Sequence, residues 1–344
     1  MIYTLKKKPS IVDIATALAI SSTTVSFILN GRAKEKRISD KMVAKVEKYV
    51  KEVGYKPNSL ARSLRTGKTN IIALMVESIS NPFFANIARH IEKKAYNNGY
   101  KIIYSSTDND VKRTKELIQM FRDRHVDGYI ISPPEGIEED ISSLINAEIP
   151  VVFFDRYLKK LEIDSVIIDN TVSTYDAVKY LIQLGHKNIG FITVDSLQTQ
   201  MQDRMLGYEK AIEENGLVPY IKEINFGLSS EDMMKHITSF FLRKVNLDAV
   251  LFATNYLGVN GLKAIKNMGL KIGDQISVIA FDDHDLFEIH SPSITAISQP
   301  IEEIADVTIN LLLGKLKQNI KLKKEQNLVL SSQLIIRESC KTRP

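Results

Sequence analysis

From Ile71 onward, short uninterrupted apolar runs alternate with stretches whose apolar residues recur every three or four positions. Residues 71–76, 101–105, 128–132, 151–155, 189–193, 249–254 and 277–281 are of the first kind. Their length and β-branched or aromatic content predict strands covered on both faces. Residues 84–97, 112–124, 174–184, 202–213 and 259–268 fill the gaps with helical periodicity. Repeated strand–helix units predict doubly wound parallel sheets with right-handed crossovers. The pattern falls into two halves of similar size, with the break near Asp169.

The first 57 residues follow a different pattern, with three short helices and no strand. Ser10 followed by Asp13 predicts a capping box, after which Ile14, Ala15 and Leu18 form one apolar face. Ser21 caps a second helix that runs to Leu29 and buries Val25, Ile28 and Leu29; Asn30-Gly31 ends it. The turn Ala19-Ile20-Ser21 is so short that the two helices must cross steeply and project the second outward, the helix-turn-helix geometry. The small–small–branched spacing of Ala15, Ala19 and Val25 allows the close approach this needs. A third helix, capped by Ser39, places Met42, Val46, Tyr49, Val50 and Val53 inward and lysines 41, 45, 48 and 51 outward; Gly54 and Pro57 stop it.

Charge sharpens this division. The 344-residue chain carries a net +5, yet residues 1–68 hold 15 Lys/Arg against 5 Asp/Glu, a net +10 that leaves −5 for the remainder. A basic module on a mildly acidic body is expected where one part meets polyphosphate and the other does not. A solvated basic face without a partner is the plainer alternative.

Composition removes other classes. With 44% apolar and 25% charged residues the chain reads as an ordinary globular protein. Its longest apolar runs, such as Val151-Val152-Phe153-Phe154, are too short to span a bilayer. Three lysines near the N-terminus precede no apolar segment, so no secretory signal is expected. A single cysteine, Cys340, excludes a disulfide framework and fits a reducing cytosol. The sequence holds no P-loop, nucleophile elbow or HExxH motif, and no GxGxxG after a strand. Histidines 90, 125, 186, 236, 284 and 290 lack metal-ligand spacing, and Cys340 has no neighbouring base. Neither an enzyme, a metal nor a cofactor is expected. His186, at a helix end before a strand, reads as a structural cap.

Three ordered motifs carry a resemblance. They are Ser10-Ile-Val-Asp-Ile-Ala through Thr24-Val25-Ser26 with Leu29-Asn30-Gly31; Gly54-Tyr55-Lys56-Pro57-Asn58 with Ala61-Arg62-Ser63-Leu64-Arg65-Thr66-Gly67; and Asn81-Pro82-Phe83-Phe84. Together they are similar to the LacI/GalR (lactose-repressor/galactose-repressor) family over essentially the whole chain. The resemblance implies a transcription regulator with a helix-turn-helix domain (1–57), a hinge (58–68) and a periplasmic-binding-protein-like core of two lobes (69–344), the chain crossing back near residue 299. It also implies a homodimer on a pseudo-palindromic DNA operator and a small-molecule effector in the core. No leucine heptads follow Arg337, so a tetramer is not expected.

The same resemblance assigns roles. The second helix enters the major groove, with Ser22, Thr23 and Phe27 toward base edges and Thr24 and Ser26 toward phosphates. Asn30 and Tyr55 complete the DNA-binding set within this domain. Phe27 replaces a residue that is polar or basic in many members; it reads as a thymine-methyl contact or as a ring packed on its own helix. Residues 32–37 form a loop more basic and slightly longer than in many relatives. Asn58, Ala61, Arg62 and Leu64 belong to the hinge, where the leucine wedges into the minor groove.

Ligands of such cores bind beyond the C-terminal strand ends, between the lobes. That rule nominates Phe83, Phe84, Asp155, Arg156, Asn255 and Asp282, and the resemblance adds Arg204 as the cleft arginine. Aromatic faces, carboxylates and an arginine fork suit a sugar or sugar phosphate, with a purine as the alternative. Each carboxylate also reads as a helix cap or an interlobe salt bridge. Tyr256 stands where relatives usually have Asp, and Ala280 where they usually have Gly. A transporter's solute-binding protein would share the core, but would have a signal peptide and no helix-turn-helix.

Overall fold

The structure is a computed structural model that describes residues 9–55, 67–243, 246–317 and 327–343. It divides into two compact units, residues 1–69 and 70–344.

The first unit is helical. α1 (Ile11–Leu18) opens on the capping box: the Ser10 side chain accepts from the Asp13 backbone N–H and the Asp13 carboxylate from that of Ser10. Ala19 closes the helix in the left-handed region at φ 54°, its N–H returning to the carbonyls of Ala15 and Thr16. α2 (Ser22–Leu29) follows after Ser21, whose hydroxyl caps the Thr24 N–H, and its axis lies at 112° to that of α1. α3 (Asp40–Glu52) is capped by Ser39. Ile14, Ala15, Leu18, Val25, Ile28 and Val46 form the buried core, and Ile11, Leu29, Met42, Val50 and Tyr55 pack around it. Lysines 41, 45, 48 and 51 are exposed.

The second unit contains two six-stranded sheets of the same order. The first joins β1 (Ile71–Val76), β2 (Lys101–Ser106), β3 (Gly128–Ile131), β4 (Val151–Phe154), β5 (Ser165–Ile168) and β11 (Asn327–Leu330) as β11-β5-β4-β3-β1-β2, all parallel. The second joins β6 (Ile189–Asp195), β7 (Tyr220–Asn225), β8 (Ala249–Phe252), β9 (Ser277–Phe281), β10 (Thr295–Ser298) and β12 (Gln333–Ile335) as β12-β10-β9-β8-β6-β7. Here only β12 runs antiparallel, against β10. The first lobe adds α4 (Pro82–Asn97), α5 (Val111–Asp123) and α6 (Glu138–Asn146). The second adds α7 (Asn170–Gln183), α8 (Thr199–Glu214), α9 (Ser230–Phe241), α10 (Asn255–Asn267) and α11 (Asp285–Ile289).

The chain changes lobe three times: after Ile168, after Gln299 where α12 (Ile301–Lys317) packs on α4 and the first sheet, and between Leu330 and Gln333. Five strands escape the apolar pattern: β5, β7, β10, β11 and β12. β7, β11 and β12 are edge strands, and β5 and β10 are four-residue segments next to an edge. Ser132, Asp155, Ala253 and Thr254, expected within strands, lie just past them, where their side chains and carbonyls are released from the ladders.

One close approach positions the site. A Cβ on Gly207 would lie 2.3 Å from the Thr171 carbonyl oxygen, so only glycine lets α8 press against α7 here. One turn earlier on α8, Arg204 thereby reaches Asn170 at the start of α7.

Candidate functional site

Between the lobes lies a cavity of about 390 Å³, within the range of small-molecule sites. Its polar walls come from the loops that follow parallel strands, and those after β4 and β9 are equivalent in the two sheets. On the first lobe, Glu77 follows β1 and Asp155 follows β4; on the second, Thr254 follows β8 and Asp282 follows β9. Asp155 and Asp282 both adopt positive φ, 70° and 65°, which Asp tolerates better than most residues.

Each lobe holds a buried arginine in this network. Arg156, 1% exposed, donates from Nε to Asp155 (3.0 Å) and to Ser132 Oγ (2.9 Å). Its Nη1 donates to Asn109 (3.2 Å) and its Nη2 to Glu77 (3.0 Å). Arg204, 2% exposed, donates from Nε to Asn170 Oδ1 (2.8 Å) and from Nη1 to the Ala253 carbonyl (2.6 Å). Its Nη2 lies 4.0 Å from Asp282, and its guanidinium stacks 3.5 Å from the centroid of the Phe281 ring. Burial pushes the Asp282 carboxyl up, against the opposing pull of Arg204 and of the Gln299 amide, 2.6 Å away. Burial likewise lowers the Arg204 guanidinium, against the pull of Asp282 and Asp155. It also raises the Tyr256 phenol, with Glu77 adding to the effect.

Phe83 and Phe84 line the cavity, packed edge to face at 5.0 Å, with Phe84 in turn edge-on to Phe154. Phe83, Phe84, Asp155, Arg204 and Asp282 therefore share one cavity. Asn255 does not line it. As the first residue of α10 it turns toward the first lobe, where its Nδ2 donates to Asn81 Oδ1 (3.0 Å), while its backbone N–H donates to Asp282. The strand-end rule finds the loop but not the direction its side chain takes.

The cavity also gathers residues that the sequence reading left out: Glu77, Asn81, Asn109, Gln198, Gln200 and Phe226. Glu77 had a signal, since it follows β1 as Asp155 follows β4. Gln198 and Gln200 had none, because their placement depends on how α8 docks. Tyr256, noted only as a departure from the family pattern, is part of the wall.

In the helical unit, Ser22 and Thr23 are exposed at the start of α2. Thr24 Oγ1 is 2.8 Å from the capping Ser21 hydroxyl. Asn30 donates to the Ser26 carbonyl (2.6 Å) and Oγ (3.2 Å), closing the last turn. Phe27 is half-buried beneath the loop that follows, with the Arg32 and Lys36 cations 5.6 and 5.4 Å from its ring centroid. Tyr55 packs on the unit's core. Asn58, Ala61, Arg62 and Leu64 lie outside the described residues. His186 is structural: buried, it spans Asp248 (3.3 Å) and the Lys341 carbonyl (3.1 Å). Cys340 is buried with its thiol pushed up by burial. Among the described residues no cluster of metal-ligating side chains occurs, and no single helix is long and apolar enough to cross a membrane.

Comparison with known proteins agrees with this anatomy. Residues 10–58 match the family described as bacterial regulatory proteins, lacI family, and residues 178–340 match a periplasmic binding protein-like domain. The HTH-type transcriptional regulator DegA of Bacillus subtilis is 33% identical, over 96% of this chain and 98% of its own length. The ribose operon repressor of Haemophilus influenzae is 30% identical, over 95% of this chain and 97% of its own. Among solved structures, a Lac repressor dimer bound to operator and the anti-inducer ONPF superposes with TM-score 0.84 at 23% identity, over 97% of this chain and 99% of that one. A periplasmic binding protein/LacI transcriptional regulator from Alkaliphilus metalliredigens complexed with D-xylulofuranose gives 0.70 at 27% identity, over 79% of this chain and 99% of that one. A capped helix-turn-helix joined to two sheets of identical order, with relatives matched end to end, places the chain in the lacI family of DNA-binding transcriptional regulators, which are not enzymes.

Proposed function

We propose that this regulator is a homodimeric repressor, working in the cytoplasm, whose grip on a pseudo-palindromic operator is set by a carbohydrate bound between the lobes of the core. The observation that carries the reading is the cleft itself. Both lobes contribute a carboxylate beside a buried arginine, and Phe83, Phe84 and Tyr256 supply apolar faces. Acceptors that take adjacent hydroxyl protons, next to flat apolar walls, form a surface that fits a sugar ring. The D-xylulofuranose complex of a relative in the same fold supports the carbohydrate class.

Because both lobes wall the cavity, a ligand that bridges them favours one relative lobe orientation. By linkage it then shifts the DNA-binding equilibrium in proportion to its differential affinity. On the DNA side, Ser22 and Thr23 are the groups of α2 free to meet base edges, and Thr24 and Ser26 stiffen the helix that carries them. Residues 58–68 link the two units and transmit the change.

The test begins with duplexes selected by the purified protein from a randomised pool. Recovery of an inverted repeat bound by two protomers supports the dimeric reading. Recovery of single half-sites bound by one protomer contradicts it.

A further inference from the structure

We infer that the cleft takes an uncharged, hydroxyl-rich ligand and discriminates against its phosphate esters. This rests on the reading of the cleft as a carbohydrate site and narrows it.

Four carboxylates line the cavity, Glu77, Glu135, Asp155 and Asp282, against one guanidinium, Arg204. No lysine or histidine is among its described lining residues. Arg204 is already engaged. Its Nε and Nη1 donate to Asn170 and Ala253, its Nη2 faces Asp282, and one face of its plane lies on Phe281. Arg156, the cation behind the first-lobe wall, is likewise held by Glu77, Asp155, Asn109 and Ser132. A phosphate ester brings roughly −1.5 to −2 charge at neutral pH. In this cleft it meets two more carboxylates than guanidiniums, both guanidiniums being already partnered by those carboxylates and by neighbouring polar groups, and like charges at short range in a partly desolvated site repel strongly. What opposes this is the set of helix starts at the cleft: those of α4, α5 and α10 carry side-chain caps from Asn81, Asp110 and Thr254, and that of α8, which enters at Gln198, lacks one. The partial positive charge of that uncapped start is about half a unit, too small to offset the carboxylates.

Polarity points the same way. Gln200, 4% exposed, lines the cavity and donates its amide nitrogen to Gln198 Oε1 (3.2 Å), while its own Oε1 is buried without a hydrogen-bond partner. A buried, unpaired amide oxygen on a residue of the cavity wall calls for a donor. With the carboxylates of Glu77, Asp155 and Asp282 it makes the lining rich in acceptors, and hydroxyl groups supply the complementary donors. Phosphate oxygens, being acceptors themselves, do not.

The experiment uses the full-length protein and measures thermal unfolding and calorimetric affinity with matched pairs. These are D-ribose and ribose 5-phosphate, D-glucose and glucose 6-phosphate, D-fructose and fructose 6-phosphate, with adenine and guanine alongside. The expected result is that a neutral sugar binds while its ester binds at least about 100-fold more weakly. Gln200→Met, which preserves volume, then weakens the neutral sugar about tenfold or more with the unfolding midpoint of the free protein largely retained. Glu135→Lys, at an exposed position on the rim, raises the affinity of the ester relative to that of its parent sugar. An ester that binds the unaltered protein as tightly as its parent sugar overturns the inference while the carbohydrate reading stands. Binding of the bases alone, or silence from every sugar and ester, overturns the carbohydrate reading itself.

Discussion

Asp155 and Asp282 occupy the same place in the two lobes. Each follows the strand that lies between its lobe's third and fifth, at positive φ, and each backbone N–H donates to the neighbouring strand, to Val166 (2.9 Å) and Ile297 (3.0 Å). Each carboxylate stands beside a buried arginine, Arg156 or Arg204. The cleft is thus built twice from one local design, and the lobes differ in what holds each arginine. Arg156 is held by four side chains of the first lobe, whereas Arg204 is held by Asn170, at the point where the chain first crosses over, and by the Ala253 carbonyl.

Asp282→Asn keeps the shape of the side chain and removes its charge. A charged hydrogen bond to a ligand hydroxyl is worth about 1.5–3 kcal/mol, so sugar affinity falls about 10- to 150-fold while operator affinity without sugar is unchanged. Calorimetry on variant and parent checks this; unchanged sugar affinity would place the ligand elsewhere.

The same substitution gives a pH test. Burial raises the Asp282 carboxyl in the folded protein above its ordinary value of 3.8. A raised folded-state pKa gives stability that is present below the unfolded value and is lost as pH rises through the folded one. The unfolding free energy of the parent relative to Asp282→Asn therefore decreases from about pH 4 toward neutrality. Urea unfolding across that range reads it, and a difference that grows with pH contradicts the assigned sign.

Gly207→Ala drives a methyl group into the Thr171 carbonyl. Overpacking of this kind costs about 1–3 kcal/mol. Because α8 must withdraw from α7, Arg204 loses Asn170 and the sugar response falls with it. Denaturant midpoints and sugar titrations on one preparation test both parts.

Glu35 accepts from Arg32 in a bidentate pair (2.6 and 2.7 Å) and lies 3.2 Å from Lys36. Hydrogen bonds from both cations hold its carboxyl at about 2. Where this loop meets DNA, a backbone phosphate would compete with Glu35 for these cations. Glu35→Gln should raise affinity for any duplex and steepen the dependence of log K on log salt by roughly one per protomer. Glu52→Gln, on α3 beside Lys48, is the control. Equal slopes for the two variants would remove Glu35 from the DNA contact.

What the sequence made legible follows the range of the interactions involved. Capping by Ser10, Ser21 and Ser39 is a matter of three or four neighbouring residues, and all three helices start where those hydroxyls place them. The central strands are legible because burial on both faces writes a continuous apolar run. β7 and β12 lie at sheet edges and β11 pairs with a strand about 160 residues away, so their identity resides in partners rather than composition. The site shows the same limit. Strand ends locate Asp155 and Asp282, but the direction of Asn255 toward Asn81, and of Gln200 into the cavity, depends on how lobes and helices dock.

The central claim is that occupancy of the cleft sets operator affinity. Fluorescence anisotropy of the full-length protein on a selected operator, with and without a saturating sugar identified by calorimetry, tests it directly. Coupling between sites is typically worth about 1–3 kcal/mol, so the account predicts a change in operator Kd of about 5- to 150-fold, which Asp282→Asn abolishes at the same sugar concentration. An operator Kd that is the same with the cleft filled and empty would contradict it.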